Sequence, residues 1–123
     1  MTAESLTVWD LLKAYSSHKR ENTKAVVEKR ERLTREWVEF IGGDSVALVT
    51  SKNLVKYHSH LADLMYANRA AGKTDPLALK TEGGVNSKAK HLKMLVNMWN
   101  KIHAGQPDEQ LPAVDFMLLQ QST

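Results

Sequence analysis

Apolar residues in this chain recur with the 3.6-residue period of a helix almost throughout, and no stretch alternates for long enough to build a convincing strand. Val8, Leu11, Leu12 and Tyr15 stand at i, i+3, i+4 and i+7, introduced by Thr7 with Asp10 three residues on, a capping-box pattern. This predicts a first helix over 7–20. Val26, Leu33, Trp37, Phe40 and Ile41 mark a second over 23–42, with Glu28/Arg32 and Glu31/Arg35 paired on its outer side and Gly42-Gly43 as its stop. Thr50 or Ser51 caps a third over 51–70, carrying Leu54, Tyr57, Leu61, Leu64 and Met65, and Gly72 ends it. Asn86 or Ser87 caps a fourth over 86–104, with Leu92, Leu95, Val96, Trp99 and Ile102 inward and Gly105 as its end. Between the last two, 71–76 and Glu82-Gly83-Gly84 read as loop, with room for one helical turn at Leu77-Ala78-Leu79. Residues 45–50 are the nearest approach to a strand. Residues 106–112 read as a linker, and 113–119 are apolar enough for a fifth short helix or the first turn of a further element. Four amphipathic helices with short connections imply an all-α bundle.

At 123 residues the chain has the size of one domain, and 42% hydrophobic with 25% charged residues is ordinary globular usage. No apolar run approaches the ~20 residues that span a bilayer, and Met1-Thr2-Ala3-Glu4 lacks the layout of a signal peptide, so the expectation is a cytoplasmic protein with no membrane partner. The absence of cysteine excludes disulfides, thiolate metal sites and a cysteine nucleophile.

Net charge is only +3, but its distribution is uneven. All 17 Lys and Arg fall between Lys13 and Lys101 against nine acids there, a surplus of eight positive charges, while both ends are acidic. That is the footprint of a phosphate-binding surface. On the second helix Lys24, Lys29, Arg30, Arg32 and Arg35 interleave with Glu28, Glu31, Glu36 and Glu39, a pattern equally suited to a solvated, salt-bridged face. Asn86-Ser87-Lys88-Ala89-Lys90-His91-Leu92-Lys93 is more pointed, because it holds no acid and is placed at a helix start, where free amides and the dipole favour phosphate. Lys90, Lys93, Asn97 and Lys101 continue one polar strip. Asparagine adds the ability to read adenine in a major groove.

Enzyme chemistry finds no foothold. His58 and His60 are two residues apart, which sends their rings to different sides of a helix, and no third metal ligand stands beside them. Their expected place is a solvated face, with one imidazole leaning on the core. Phosphate-binding glycine loops, dinucleotide fingerprints and a nucleophile elbow are all missing. Trp9, Trp37, Phe40, Tyr57 and Trp99 fall largely on the apolar stripes, which predicts core packing rather than base stacking. No metal or nucleotide cofactor is expected.

Four segments in order resemble the SAM-like core-binding domain of phage-integrase-type tyrosine recombinases. They are Ser5-Leu6-Thr7-Val8-Trp9-Asp10-Leu11-Leu12-Lys13-Ala14-Tyr15, Trp37-Val38-Glu39-Phe40-Ile41-Gly42-Gly43-Asp44, Leu48-Val49-Thr50-Ser51-Lys52-Asn53-Leu54-Val55-Lys56-Tyr57 and Val85-Asn86-Ser87-Lys88-Ala89-Lys90-His91-Leu92-Lys93-Met94-Leu95. The resemblance spans about residues 5–105 and implies a SAM-like bundle of four main helices as a core-binding domain over 1–105. Residues 106–123 would then be a linker toward a catalytic domain absent here. It further implies double-stranded DNA as partner, held at the core recombination site during integration or excision, with the isolated domain a monomer and the parent protein tetrameric on DNA. In that family the second and fourth helices lie across the duplex. This points to Lys24, Lys29 and Arg32, and to Ser87, Lys88, Lys90, His91 and Lys93, as DNA contacts; Asn86 joins them on its own chemistry, with phosphates met by the lysines and base edges by Asn86, Ser87 or His91.

The sequence departs from the family at Asn53, where an acid is common, and in its long loop over 70–85. The catalytic arginines, histidine and tyrosine of the family have no counterpart, and Tyr15, Tyr57 and Tyr66 lie on helical stripes or their margins. The chain alone is therefore expected to have no recombinase activity. The alternative is a helical protein-interaction module whose basic helices bind an acidic partner. A helix-turn-helix repressor fits less well, because the connections between the second, third and fourth helices far exceed the 3–4-residue turn of that motif.

Overall fold

The computed structural model describes residues 5–19 and 23–120. Among the described residues the chain is all-helical, with four α-helices, two single 3-10 turns and no strand. The helices are α1 (Val8–Lys19), α2 (Lys24–Ile41), α3 (Ser51–Ala70) and α4 (Glu82–Ile102). The predicted end of the first helix at residue 20 lies outside the described residues.

Local chemistry sets most of these boundaries. Thr7 and Asp10 form the expected capping box: the Asp10 amide donates to Thr7 Oγ1 at 3.2 Å and the Thr7 amide to Asp10 Oδ2 at 2.9 Å. Gly42 ends α2 with φ +82°, a left-handed conformation that glycine adopts without strain, and its amide donates back to the Val38 carbonyl. Thr50 caps α3 by accepting from the Asn53 amide at 3.1 Å. Residues 45–50 form no strand. They make the 3-10 turn Val46–Leu48 and one isolated bridge from Ser45 to Thr7, which ties the entry of α1 to the exit of α2.

The start of α4 differs from the prediction. Thr81, rather than Asn86 or Ser87, is the N-cap, accepting from the Gly84 amide at 3.0 Å. The glycine pair that reads as loop forms the first turn. A β-carbon on Gly84 would stand 2.9 Å from Leu79 Cδ1 and 3.1 Å from Thr81 Oγ1, so glycine fits this close approach where a larger residue would have to displace the end of the Leu79 side chain.

Packing follows the predicted stripes. Val8 and Leu11 of α1, Trp37 of α2, Leu54, Tyr57 and Met65 of α3, and Val85, Leu92, Leu95 and Val96 of α4 are fully buried, each such side chain contributing roughly 1.5–3 kcal/mol. Val26, Leu64 and Ile102, at the margins of their stripes, stay exposed instead. Trp37 meets Tyr57 edge to face with centroids 5.3 Å apart. α4 packs most extensively on α1 and α3 and also touches α2.

The predicted fifth helix over 113–119 does not form. Residues 110–120 instead run as an irregular strap along α4, with Leu111 and Val114 buried. Two α4 asparagines hold its backbone. Asn100 donates through Nδ2 to the Leu111 carbonyl and accepts from the Leu111 amide, at 2.9 and 2.8 Å. Asn86 does the same with Leu119, at 2.9 Å both ways. These clamps are four turns apart, about 21 Å on a helix, whereas eight helical residues would cover only about 12 Å. The strap must therefore be extended. Its backbone partners are side chains of α4, and at Asp115 the Ser51 hydroxyl of α3, instead of its own helical carbonyls.

Tyr57 yields a first prediction. Its hydroxyl is buried with no hydrogen-bond partner among the described residues, and burial, reinforced by the Glu36 charge, pushes its pKa well above 10.0. The unfolded chain loses this proton near pH 10, while the folded chain keeps it, so stability present below that pH declines as pH rises through it. Tyr57→Phe is expected to leave neutral-pH stability within about 1 kcal/mol of the parent, because no hydrogen bond is removed. It should also flatten the decline above about pH 10 in urea-unfolding curves. An unchanged alkaline decline would show that Tyr57 is not its source.

Candidate nucleic-acid interface

The outward side of α4 carries Ser87, Lys90, Met94, Asn97 and Lys101, all exposed and spaced at three- and four-residue steps along one line. Lys93 stands beside them, half-buried. The one acid of this helix, Glu82, lies in its first turn and is paired with Arg69 at 2.9 Å. From Gly83 to Ile102 the strip therefore has no carboxylate of α4 beside it.

Lys93 donates to Asp115 of the strap at 2.8 Å. Hydrogen bonding from Lys93, then from the Phe116 amide, holds the Asp115 carboxyl below its ordinary pKa. Lys88 turns the other way, toward Glu36 on α2, with which it forms a close ion pair. It is partly enclosed there and does not share the strip.

Two residues expected at the DNA surface are inside the protein. Asn86 is 7% exposed, with its amide divided between Leu119 and the His58 ring, whose Nε2 lies 2.9 Å from Asn86 Oδ1. His91 is 1% exposed, and its Nε2 lies 2.8 Å from the Thr34 hydroxyl. The Thr34 hydroxyl also reaches the Arg30 backbone carbonyl at 2.9 Å; when its one proton goes there, His91 donates to it. In this conformation neither Asn86 nor His91 offers an edge to a base. The reason is the breadth of the buried arc of α4, which is enclosed by three helices on one side and the strap on another. The earlier start of α4 corrects a second expectation, because the free amides of its first turn lie ahead of the 86–93 cluster, and Thr81 and Glu82 occupy that end.

On α2, Lys24, Lys29 and Arg32 are exposed. Lys24 faces Glu28 at 3.9 Å, a loose i, i+4 pair. Arg32 is two residues from Thr34, about 200° around the helix, and so projects away from the contact with His91 on α4. The structure therefore brings Ser87, Lys90 and Lys93 together with Asn97 and Lys101, and leaves the α2 cations on a surface interleaved with acids.

His58 leans on the core and meets Phe116 at a tilt, with centroids 5.0 Å apart, while exposed His60 lies against Phe40. Among the described residues no group of three His, Asp or Glu is placed to hold a metal ion. Tyr15 is buried beneath the Arg30 guanidinium, and Tyr66 is exposed beside Arg69. No described helix is long and apolar enough to cross a membrane. Comparison with protein-family models, curated proteins and solved structures finds no match to this chain.

Proposed function

We propose that this chain is a DNA-binding module that grips duplex phosphates through the exposed strip of α4, in the manner of the core-binding domain of a phage-integrase-type tyrosine recombinase. The observation that carries this reading is the strip itself: Lys90 and Lys101 stand in line with Ser87 and Asn97, with Lys93 beside them and no intervening α4 acid. Cations supply affinity by releasing condensed counterions, and the short polar side chains between them add hydrogen bonds to phosphate or base edge. The sequence resemblance over residues 5–105 supplies the recombinase context. Within it, strand cleavage belongs to a separate catalytic domain, and this module contributes grip and register.

The test is fluorescence anisotropy with a labelled duplex at several salt concentrations. Changing Lys90, Lys93 and Lys101 together to alanine should weaken binding and reduce the salt slope by about 0.9 for each phosphate that is no longer neutralised. Lys88→Ala, on the same helix but turned toward Glu36, should leave the slope unchanged. Equal affinity and slope for the triple variant and the parent would refute the strip. Polyglutamate competing as well as unlabelled duplex would favour an acidic protein partner instead.

A further inference from the structure

We infer that the distal half of the C-terminal strap, residues 115–120, is a displaceable gate over the α4 strip. On this reading Asp115 and the Leu119 backbone occupy Lys93 and Asn86, positions that duplex DNA takes when the strap lifts. The inference rests on the DNA-binding reading above and adds its regulation. Asn86, Lys90, Lys93 and Asn97 stand at i, i+4, i+7 and i+11, a single row on α4. The strap covers alternate members of that row. Leu119 takes both polar atoms of Asn86, and Asp115 takes the ammonium of Lys93, while Lys90 and Asn97 stay exposed. Asp115, Phe116 and Leu118 form one wall of a groove whose other wall is Lys90, Lys93, Met94 and Asn97.

The two halves of the strap are held differently. Leu111 and Val114 are buried in the core, and Asn100 clamps Leu111, so the proximal half completes the bundle. Beyond Val114 the hold is lighter. The Lys93–Asp115 pair is open to solvent, Met117 is 88% exposed and Leu118 46% exposed. Further ties are the Asp115 amide to Ser51 Oγ at 3.0 Å, the tilted contact of Phe116 with His58, the partial packing of Phe116 and Leu119 against the core, and the Asn86 clamp. Duplex phosphates compete directly with Asp115 for the Lys93 ammonium, and a row of them offsets the Leu119–Asn86 bonds that lifting also breaks. Lifting residues 115–120 uncovers the whole row without removing Leu111 or Val114. Asn86, buried in the closed form, then becomes available as a hydrogen-bonding group beside two lysines.

The experiment uses the full chain and a labelled duplex, comparing the parent with Asp115→Ala and with Asp108→Ala. Asp108 is an exposed acid in the turn before the strap, so its removal changes net charge equally without touching Lys93. Asp115→Ala should bind about fivefold tighter than Asp108→Ala, the equivalent of removing a competing surface pair, with a salt slope steeper by about one. In the parent, added duplex should accelerate hydrogen exchange at the Leu119 amide. Equal affinities for the two variants, with Leu119 protection unchanged by DNA, would overturn the gate and leave DNA binding standing. Failure of all three proteins to bind duplex at low salt would instead overturn the DNA-binding reading on which the gate depends.

Discussion

Trp37→Ala is expected to lower the unfolding free energy by about 3–5 kcal/mol, the range for truncating a fully buried indole. Trp37 is completely buried, meets Tyr57 edge to face, and belongs to the cluster that joins all four helices. A domain of this size has only about 5–15 kcal/mol in total, so the variant should be largely unfolded at modest urea concentrations. Trp37→Phe should cost much less. The Trp37 Nε1 has no hydrogen-bond partner among the described residues, so the smaller ring removes volume but no bond. Trp99→Ala provides a second contrast, since Trp99 is only partly buried and its Nε1 donates to the Glu109 carbonyl. Urea titrations followed by circular dichroism measure all three. A decrease below about 1 kcal/mol for Trp37→Ala would mean that this ring does not anchor the bundle.

Trp37 is legible in the sequence because the stripe Leu33, Trp37 and Ile41 repeats at helical spacing and its burial needs no knowledge of the partner helices. The same holds for the boundaries of α2 and α3 and for the Thr7–Asp10 cap, which are local chemistry. The start of α4 misleads for an equally local reason. Gly83-Gly84 argues for a loop on propensity, whereas the Thr81 cap on the Gly84 amide and the close approach of Leu79 to Gly84 place the pair in a first turn.

The site is legible only in part. Ser87, Lys90 and Lys93 follow from the polar side of the α4 pattern. His91 carries a readable warning, since it precedes Leu95 and Met98 by four and seven residues and so shares their buried flank. Asn86 carries none. Its burial depends on His58 of α3 and on Leu119, 33 residues downstream, in a segment apolar enough to read as a short helix and held extended by clamps on α4.

That dependence makes Asn86→Ala the sharpest test of how the strap is held. The substitution removes three hydrogen bonds at once, those with the Leu119 amide, the Leu119 carbonyl and the His58 ring. His58 is buried and gives up a partner it cannot replace with bulk water while the strap stays closed, a cost of about 1–3 kcal/mol. Leu119 is half-buried and can recover water by detaching, so its share of the cost is relieved by local opening rather than global unfolding. The expected outcome is a total decrease of about 2–4 kcal/mol in urea unfolding, with hydrogen exchange greatly accelerated at the Leu119 amide. The Leu111 amide, held by Asn100, should remain protected. Ser87→Ala, one position on and exposed, should change stability by no more than about 0.5 kcal/mol. Equal acceleration at Leu111 and Leu119 would show that the strap opens as one piece, and an Asn86→Ala variant as stable as the parent would show that the Asn86 clamp carries no weight.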